Sequence, residues 1–163
     1  MGFRRVLFPM LLACVASPAI AANLHGDMRT ISAFCLNYLE TGQAARVLLD
    51  EGFNAKGRKY KKSYSKSMIG GFNPVITVDP RKTRSGLSCS AQFGIIKQND
   101  GYGLIEVARQ QAAARGYRPV TVTDSKGRQS SAYSKDGIFM RIGGRSTYSN
   151  STYSTFLYFE RLN

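Results

Sequence analysis

The stretch "LSCSAQFGI", Leu87–Ile95, alternates apolar and polar residues along its whole length. A period of two is typical of a strand with one buried face, and it places Cys89 on that face. An earlier stretch, "MRTISAFCLNYLE" (Met28–Glu40), repeats its apolar residues with helical spacing and places Cys35 on the apolar side of a helix. Both cysteines therefore point to one helix–sheet interface, and we predict a Cys35–Cys89 disulfide there.

The rest of the chain predicts a second helix and several strands. The helix "GYGLIEVARQQAAAR" ends at Gly116, and Asp27 and Asp100 stand where helix N-caps are expected. Strands are predicted at Phe72–Val78, on both sides of a turn at Asp124–Gly127, after a turn at Asp136–Gly137, and at Thr152–Phe159.

Short turns between many strands indicate an antiparallel sheet. We therefore predict an α+β fold, a mainly antiparallel sheet with two helical segments packed on one face. The element order also admits two copies of one αβββ unit. No linker or long low-complexity segment divides residues 22–163, which are expected to form a single α+β domain.

The N-terminal segment predicts export. Arg4 and Arg5 precede the apolar run "VLFPMLLACVA", which is too short to span a bilayer, and "AIA" follows at Ala19–Ala21. Residues 1–21 are thus expected to be a secretory signal peptide, with the mature protein periplasmic or secreted. The alternative is a lipoprotein anchored to the bacterial envelope through Cys14. In either case we expect no transmembrane span in the mature chain.

Catalytic and metal-binding patterns are sparse in this sequence. The chain has one histidine, His25, which lies close to the predicted mature N-terminus, where a mobile tail is expected. A single histidine argues against multi-histidine zinc sites and against a Ser–His–Asp triad. The ten carboxylates fall mainly at predicted caps and turns. We therefore predict a non-enzymatic protein with no cofactor and no metal.

The formal net charge is +13, and the positive charge is concentrated in one region. The stretch "NAKGRKYKKSYSKS", Asn54–Ser67, holds six cations and two tyrosines without a carboxylate. Alternation would place the two tyrosines and Lys62 on one face of a strand, and Lys59 and Lys61 on the other. The candidate anion-binding residues are Lys56, Arg58, Lys59, Tyr60, Lys61, Lys62, Tyr64 and Lys66, extended by Arg81, Lys82 and Arg84 in a turn after Pro80.

Two interpretations of this basic stretch remain open. It is either an edge strand that its lysines protect from aggregation, or a cationic strip with aromatic platforms that binds an anionic partner. The second interpretation predicts a binding or adaptor module for an anionic envelope polymer, a lipid headgroup or an acidic protein. Nucleic acid is a further candidate that the sequence does not rank.

A second function class starts from another segment. "GGRSTYSNSTY", Gly143–Tyr153, is rich in Gly, Ser and Tyr, a composition that suits adaptable recognition by a loop. It would make the protein an inhibitor or an immunity-type protein that blocks an enzyme. The alternative is that this segment is the mobile loop of a hairpin.

Overall fold

The computed structural model describes residues 23–64, 73–84, 86–96, 98–149 and 152–162. The predicted signal peptide (residues 1–21), Cys14 and Lys66 lie outside these residues. Within the described ranges, no helix has both the length and the apolar character needed to cross a membrane.

Three helices and eight strands make up the described chain. In chain order they are α1 Leu24–Thr41, α2 Val47–Asp50, β1 Asn54–Lys56, β2 Lys59–Ser63, β3 Val75–Thr83, β4 Gly86–Ile96, α3 Gln98–Ala114, β5 Arg118–Thr123, β6 Gln129–Lys135, β7 Ile138–Ser149 and β8 Thr152–Leu162. The strands form one antiparallel sheet in the order β1-β2-β3-β4-β8-β7-β6-β5. The predicted α+β fold is confirmed.

Apart from the short helix α2 in the first half, the two halves of the described chain have the same order of elements. In each half a long helix is followed by four antiparallel strands, and the last strands of the halves, β4 and β8, pair at the centre of the sheet. Each half therefore has one strand more than the αβββ unit that the element order suggested. The additional strand of the first half is β1, which is only three residues long and lies inside the basic stretch.

The core lies between α1 and the centre of the sheet. The apolar stripe of α1 includes Met28, Phe34 and Leu39, all fully buried, and it packs on β4 and β8. Cys35 and Cys89 are also fully buried and form the predicted disulfide, with their Cα atoms 5.5 Å apart. The bond joins α1 to β4, so the prediction of a helix–sheet crosslink is confirmed.

Both predicted N-caps are wrong, because each helix begins earlier than expected. Asn23 caps α1, and its side chain accepts a hydrogen bond of 2.9 Å from the Gly26 N–H. Asp27 therefore lies within the first turn, where it is buried. His25, expected in a mobile tail, is in the same turn. Similarly, α3 starts at Gln98, before Asp100.

The structure also corrects the extent of β3. The strand continues through Pro80 and includes Arg81 and Lys82, which the sequence suggested were in a turn, whereas Arg84 does lie in the turn. A proline is tolerated at this point because β2 pairs with β3 only as far as Val78. Beyond that residue β3 is an edge strand, and an edge strand can lack an N–H donor.

A bulge near the end of β4 places Ile96 in the core, where alternation predicted Ile95. The register against β8 shifts between Gly94 and Ile96, and Ile95 between them has a φ of 62°. The extra residue turns Ile96 into the core, where it is 1% exposed, while Ile95 is only half-buried. Strict alternation predicted Ile95 on the inward side.

Two glycines in α3 give a matched test of how the helix packs on the sheet. A Cβ on Gly101 would collide with the Oγ1 of Thr155, which is fully buried in β8. A Cβ on Gly103 would meet only the imidazole of His25, 3.0 Å away, at the movable end of an exposed side chain. We expect Gly101→Ala to lower the free energy of unfolding by about 2 kcal/mol.

Gly103→Ala is the control for this prediction. Both substitutions make the same gain in helix propensity, up to ~1 kcal/mol. Gly103→Ala should therefore leave stability unchanged or raise it, as measured by urea unfolding followed by circular dichroism. Equal effects of the two substitutions would contradict close packing of the Gly101 backbone on β7 and β8.

Candidate functional site

The two faces of the sheet have different surroundings. Both long helices pack on one face, against β3, β4, β7 and β8. The opposite face, named the open face here, carries none of the described helices. The pairing register places three rows of side chains across it, since directly opposed residues share a face. The rows are Lys61, Thr77, Gln92, Phe156 and Arg145; then Asp79, Ser90, Tyr158 and Gly143; then Arg81, Ser88, Glu160 and Arg141.

The predicted basic strip is divided between these two faces. Tyr60 points toward the helices, where its ring packs edge-on against Phe34 with ring centres 5.2 Å apart. Lys62 and Tyr64 also reach α1. Lys61, in contrast, lies on the open face. The tyrosines therefore do not form aromatic platforms beside the open-face lysines.

Lys62 and Tyr64 are partners of one buried carboxylate. Asp27 accepts a hydrogen bond of 2.7 Å from the Lys62 ammonium and another from the Tyr64 hydroxyl. The side chain of Asp27 is 5% exposed. Burial, together with the hydrogen bond to Asp27 and the charge of Asp27, raises the pKa of Tyr64 well above its usual value. This cluster fastens β2 to the first turn of α1, and we assign it a structural role.

A second carboxylate organises the arginines of the predicted site. Asp79 in β3 is 7% exposed and accepts hydrogen bonds from Arg58 (2.8 Å) and from Arg81 (2.7 Å). Lys59 lies 3.9 Å from the same carboxylate. Burial alone would raise the pKa of Asp79, but the hydrogen bonds from Arg81 and Arg58 outweigh burial and hold the pKa below its usual value.

This lowered pKa predicts an acid-sensitive contribution to stability. The contribution of Asp79 is fully present above the pKa that aspartate has in the unfolded chain, about 3.9. It is lost as the pH falls through the lower folded-state pKa, because the unfolded chain then binds the extra proton. We expect the stability difference between the wild type and Asp79→Asn to shrink between pH 6 and pH 3 in urea unfolding.

The exposed carboxylate of Asp50 provides the control for this pH dependence. Asp50→Asn removes one negative charge from the exposed end of α2, and among the described residues Asp50 forms no ion pair with Arg58 or Arg81. A wild-type advantage over Asp79→Asn that stays constant from pH 6 to pH 3, or that Asp50→Asn reproduces, would contradict the Asp79 assignment.

The remaining predicted cations are exposed. They are Lys56, Lys61, Lys82 and Arg84, and among the described residues no carboxylate lies within ion-pair distance of them. Arg58 and Lys59, although near Asp79, keep 60% and 44% of their side chains exposed. The strip therefore retains accessible positive charge after its internal pairs are formed.

The structure adds residues that the sequence did not connect to the strip. Phe156 and Tyr158 lie on the open face of the central strand β8, and the Arg145 guanidinium stands over the Phe156 ring at 5.8 Å from its centre. The ring of Tyr158 covers Gly143 on the neighbouring strand. The alternation along β8 was visible in the sequence, but its position next to β4 and β7 depends on pairing between distant segments.

The segment Gly143–Tyr153 is not the loop that its composition suggested. Its described residues belong to the paired ends of β7 and β8. Tyr148 and Tyr153 face each other across the hairpin with ring centres 4.7 Å apart, and Tyr148 is 63% exposed. Repeated cross-strand pairs of Ser, Thr and Tyr explain why this composition forms strands here.

Comparison of the chain with protein-family models, with curated proteins and with solved structures finds no match. Across the described ranges, no group of three or more His, Cys, Asp or Glu side chains is arranged to hold a metal ion. The candidate site is therefore defined by the charge and the aromatic residues of the open face.

Proposed function

We propose that this protein is an exported, non-enzymatic binding module whose open face binds an anionic polymer. The observation that carries the proposal is the first row of the open face. Lys61 stands near one end of this row and Arg145 at the other, with Phe156 between them on the central strand. Four strand spacings separate the two cations, a span of about 19 Å. An extended polymer crossing the strands would meet Lys61 at one end and, at the other, the Arg145 guanidinium over the Phe156 ring.

The electrostatics of the surface favour such a ligand. Lys61 and Arg145 are exposed, and Lys59, two residues before Lys61 on β2, is almost half exposed. Exposed cations attract polyanions mainly by releasing counterions, which makes the affinity strongly dependent on salt. The polar side chains between them, Thr77 and Gln92, can donate hydrogen bonds to phosphate, sulfate or carboxylate oxygens.

Replacing three open-face cations should weaken binding by about tenfold to a hundredfold at low salt, since each phosphate-type contact adds to the salt-dependent affinity. The variant is Lys59→Ser/Lys61→Ser/Arg145→Ser, and the probe is a fluorescent heparin dodecasaccharide followed by anisotropy at two salt concentrations. We expect a smaller salt slope for the variant than for the wild type.

A control with the same loss of charge separates this site from non-specific attraction. Arg29, Arg46 and Arg109 are exposed and lie on or next to the helices. Substituting these three to Ser should leave most of the affinity in place. If the control weakens binding as much as the open-face variant, or if wild-type binding is the same at both salt concentrations, the proposal is wrong.

The alternative, an enzyme inhibitor or immunity-type protein, has one supporting observation. The β7–β8 hairpin presents the Tyr148–Tyr153 pair as a paired aromatic surface, and rigid tyrosines often anchor protein interfaces. A pull-down from envelope extract discriminates the two functions. A single stoichiometric protein that is lost with Tyr148→Ala would support the alternative, whereas salt-sensitive capture of heterogeneous polymer supports the polymer-binding module.

A further inference from the structure

A cavity of about 770 Å³ opens on the third row of the open face. Its floor is formed by Arg81, Ser88, Glu160 and Arg141, which follow one another across β3, β4, β8 and β7. Thr83 at the end of β3 and Gly86 at the start of β4 line one side, and Val122 and Ser130 of the β5–β6 hairpin line the other. The volume is within the range of small-molecule binding sites.

Each charged side chain of the floor has a partner of opposite charge. Arg81 is held by Asp79 at 2.7 Å, and Arg141 donates a hydrogen bond of 3.0 Å to the Ser130 hydroxyl. Arg141 also faces Glu160, at an N–O distance of 4.0 Å. That distance is too long for a hydrogen bond, so each group keeps hydrogen-bonding capacity for a ligand. A free anion would gain little here, because it would have to compete with Glu160 for Arg141.

One wall of the cavity is apolar. Phe139 lies opposite Leu162 on the neighbouring strand, and both line the cavity together with Val122. Phe139 is 40% exposed, so part of its ring is accessible to a ligand in the cavity. An exposed ring beside alternating donors and acceptors offers a flat apolar surface and several hydrogen bonds to the same ligand.

We propose that this cavity binds a saccharide unit without net charge. The polarised C–H groups on one side of a pyranose ring match the electron-rich ring face of Phe139. Its hydroxyls, each both donor and acceptor, match the Arg141–Glu160 pair and the hydroxyls of Ser88 and Ser130. The site lies on the open face but uses different side chains from those proposed to bind the polyanion, so the inference goes beyond that function.

Titration with uncharged tetrasaccharides tests this proposal. The probes are maltotetraose, cellotetraose and tetra-N-acetylchitotetraose at millimolar concentration, observed by amide chemical shifts of the ¹⁵N-labelled mature protein. We expect at least one of them to shift resonances of β4, β7 and β8 around the cavity. Phe139→Ala and Glu160→Gln should each weaken that binding by about tenfold, as expected for loss of one stacking contact or one charged hydrogen-bond partner.

Tyr102→Ala is the matched control, because Tyr102 is an aromatic residue of α3 that is 62% exposed. It should leave the affinity unchanged. Absence of cavity shifts with all three tetrasaccharides overturns the proposal, as do shifts produced instead by octanoate or inorganic phosphate. Heparin binding measured on the same samples separates the two sites. Phe139→Ala should leave the heparin affinity unchanged, because Lys59, Lys61 and Arg145 do not depend on Phe139.

Discussion

Breaking the Cys35–Cys89 disulfide lowers the free energy of unfolding by about 4 kcal/mol, because the bond restricts the unfolded chain across a loop of this length. The two cysteines are 54 residues apart, so the bond closes a long loop between α1 and β4. Both residues are fully buried at the helix–sheet interface. We expect reduction to lower the Tm by on the order of 10 °C. Urea unfolding with and without a reducing agent measures the effect.

The double variant Cys35→Ala/Cys89→Ala separates the crosslink from packing. It loses the same loop constraint and also leaves space in the core, so it should be at least as unstable as the reduced wild type. Reducing agent should not change its Tm any further. A reduced wild type with the stability of the oxidised protein would show that the bond does not constrain the unfolded chain.

Asp27→Ala is expected to lower the free energy of unfolding by about 3 kcal/mol, since it leaves a largely buried cation and a partly buried hydroxyl without their partner. The Lys62 side chain is 22% exposed, and its ammonium has only limited access to water in place of Asp27. The Tyr64 hydroxyl loses the acceptor that joins β2 to α1. Urea unfolding of the oxidised protein measures this loss.

The matched control stands at the other end of α1. Glu40 accepts a hydrogen bond from the buried Tyr117 at 3.0 Å and forms ion pairs with Arg115 at 3.3 Å and Lys135 at 3.7 Å. The two cations keep 35% and 34% of their side chains exposed, so water can replace the charge of Glu40, and only the Tyr117 hydroxyl loses a buried partner. We therefore expect Glu40→Ala to cost about 1.5 kcal/mol, less than Asp27→Ala. If Glu40→Ala is the more destabilising substitution, or if Asp27→Ala has no effect, the burial argument is wrong.

Local periodicity was enough to predict the core of this fold. The helical spacing around Cys35 and the alternation around Cys89 identified which side of each element is buried, and the disulfide follows from those two faces. The prediction for Ile95 was wrong, because a bulge depends on how β4 meets β8, a strand about 60 residues further along the chain. Asp27 was predicted to be a helix cap from its residue type and its place before the apolar stripe. Its actual partners, Lys62 and Tyr64, lie 35 and 37 residues away in the sequence.

Only part of the candidate site could be predicted from the sequence, because the rest depends on pairing between distant strands. Alternation correctly separated Lys61 from Tyr60, yet it could not say which of the two faces the helices cover. Arg145 and Phe156 share a row of the open face with Lys61 only because β4 pairs with β8 at the centre of the sheet. A contact between two halves of a chain leaves no mark in the composition of either half.

Because β4 pairs with β8 at the centre of the sheet, each half of the molecule covers the edge strand that the other half would otherwise expose. A chain cut after residue 96 keeps α1, β1 to β4 and the disulfide, but it exposes the long inner edge of β4. An uncovered edge of this length recruits another strand. We expect such a fragment to associate with a second copy of itself through β4, in a two-fold dimer that imitates the intact sheet.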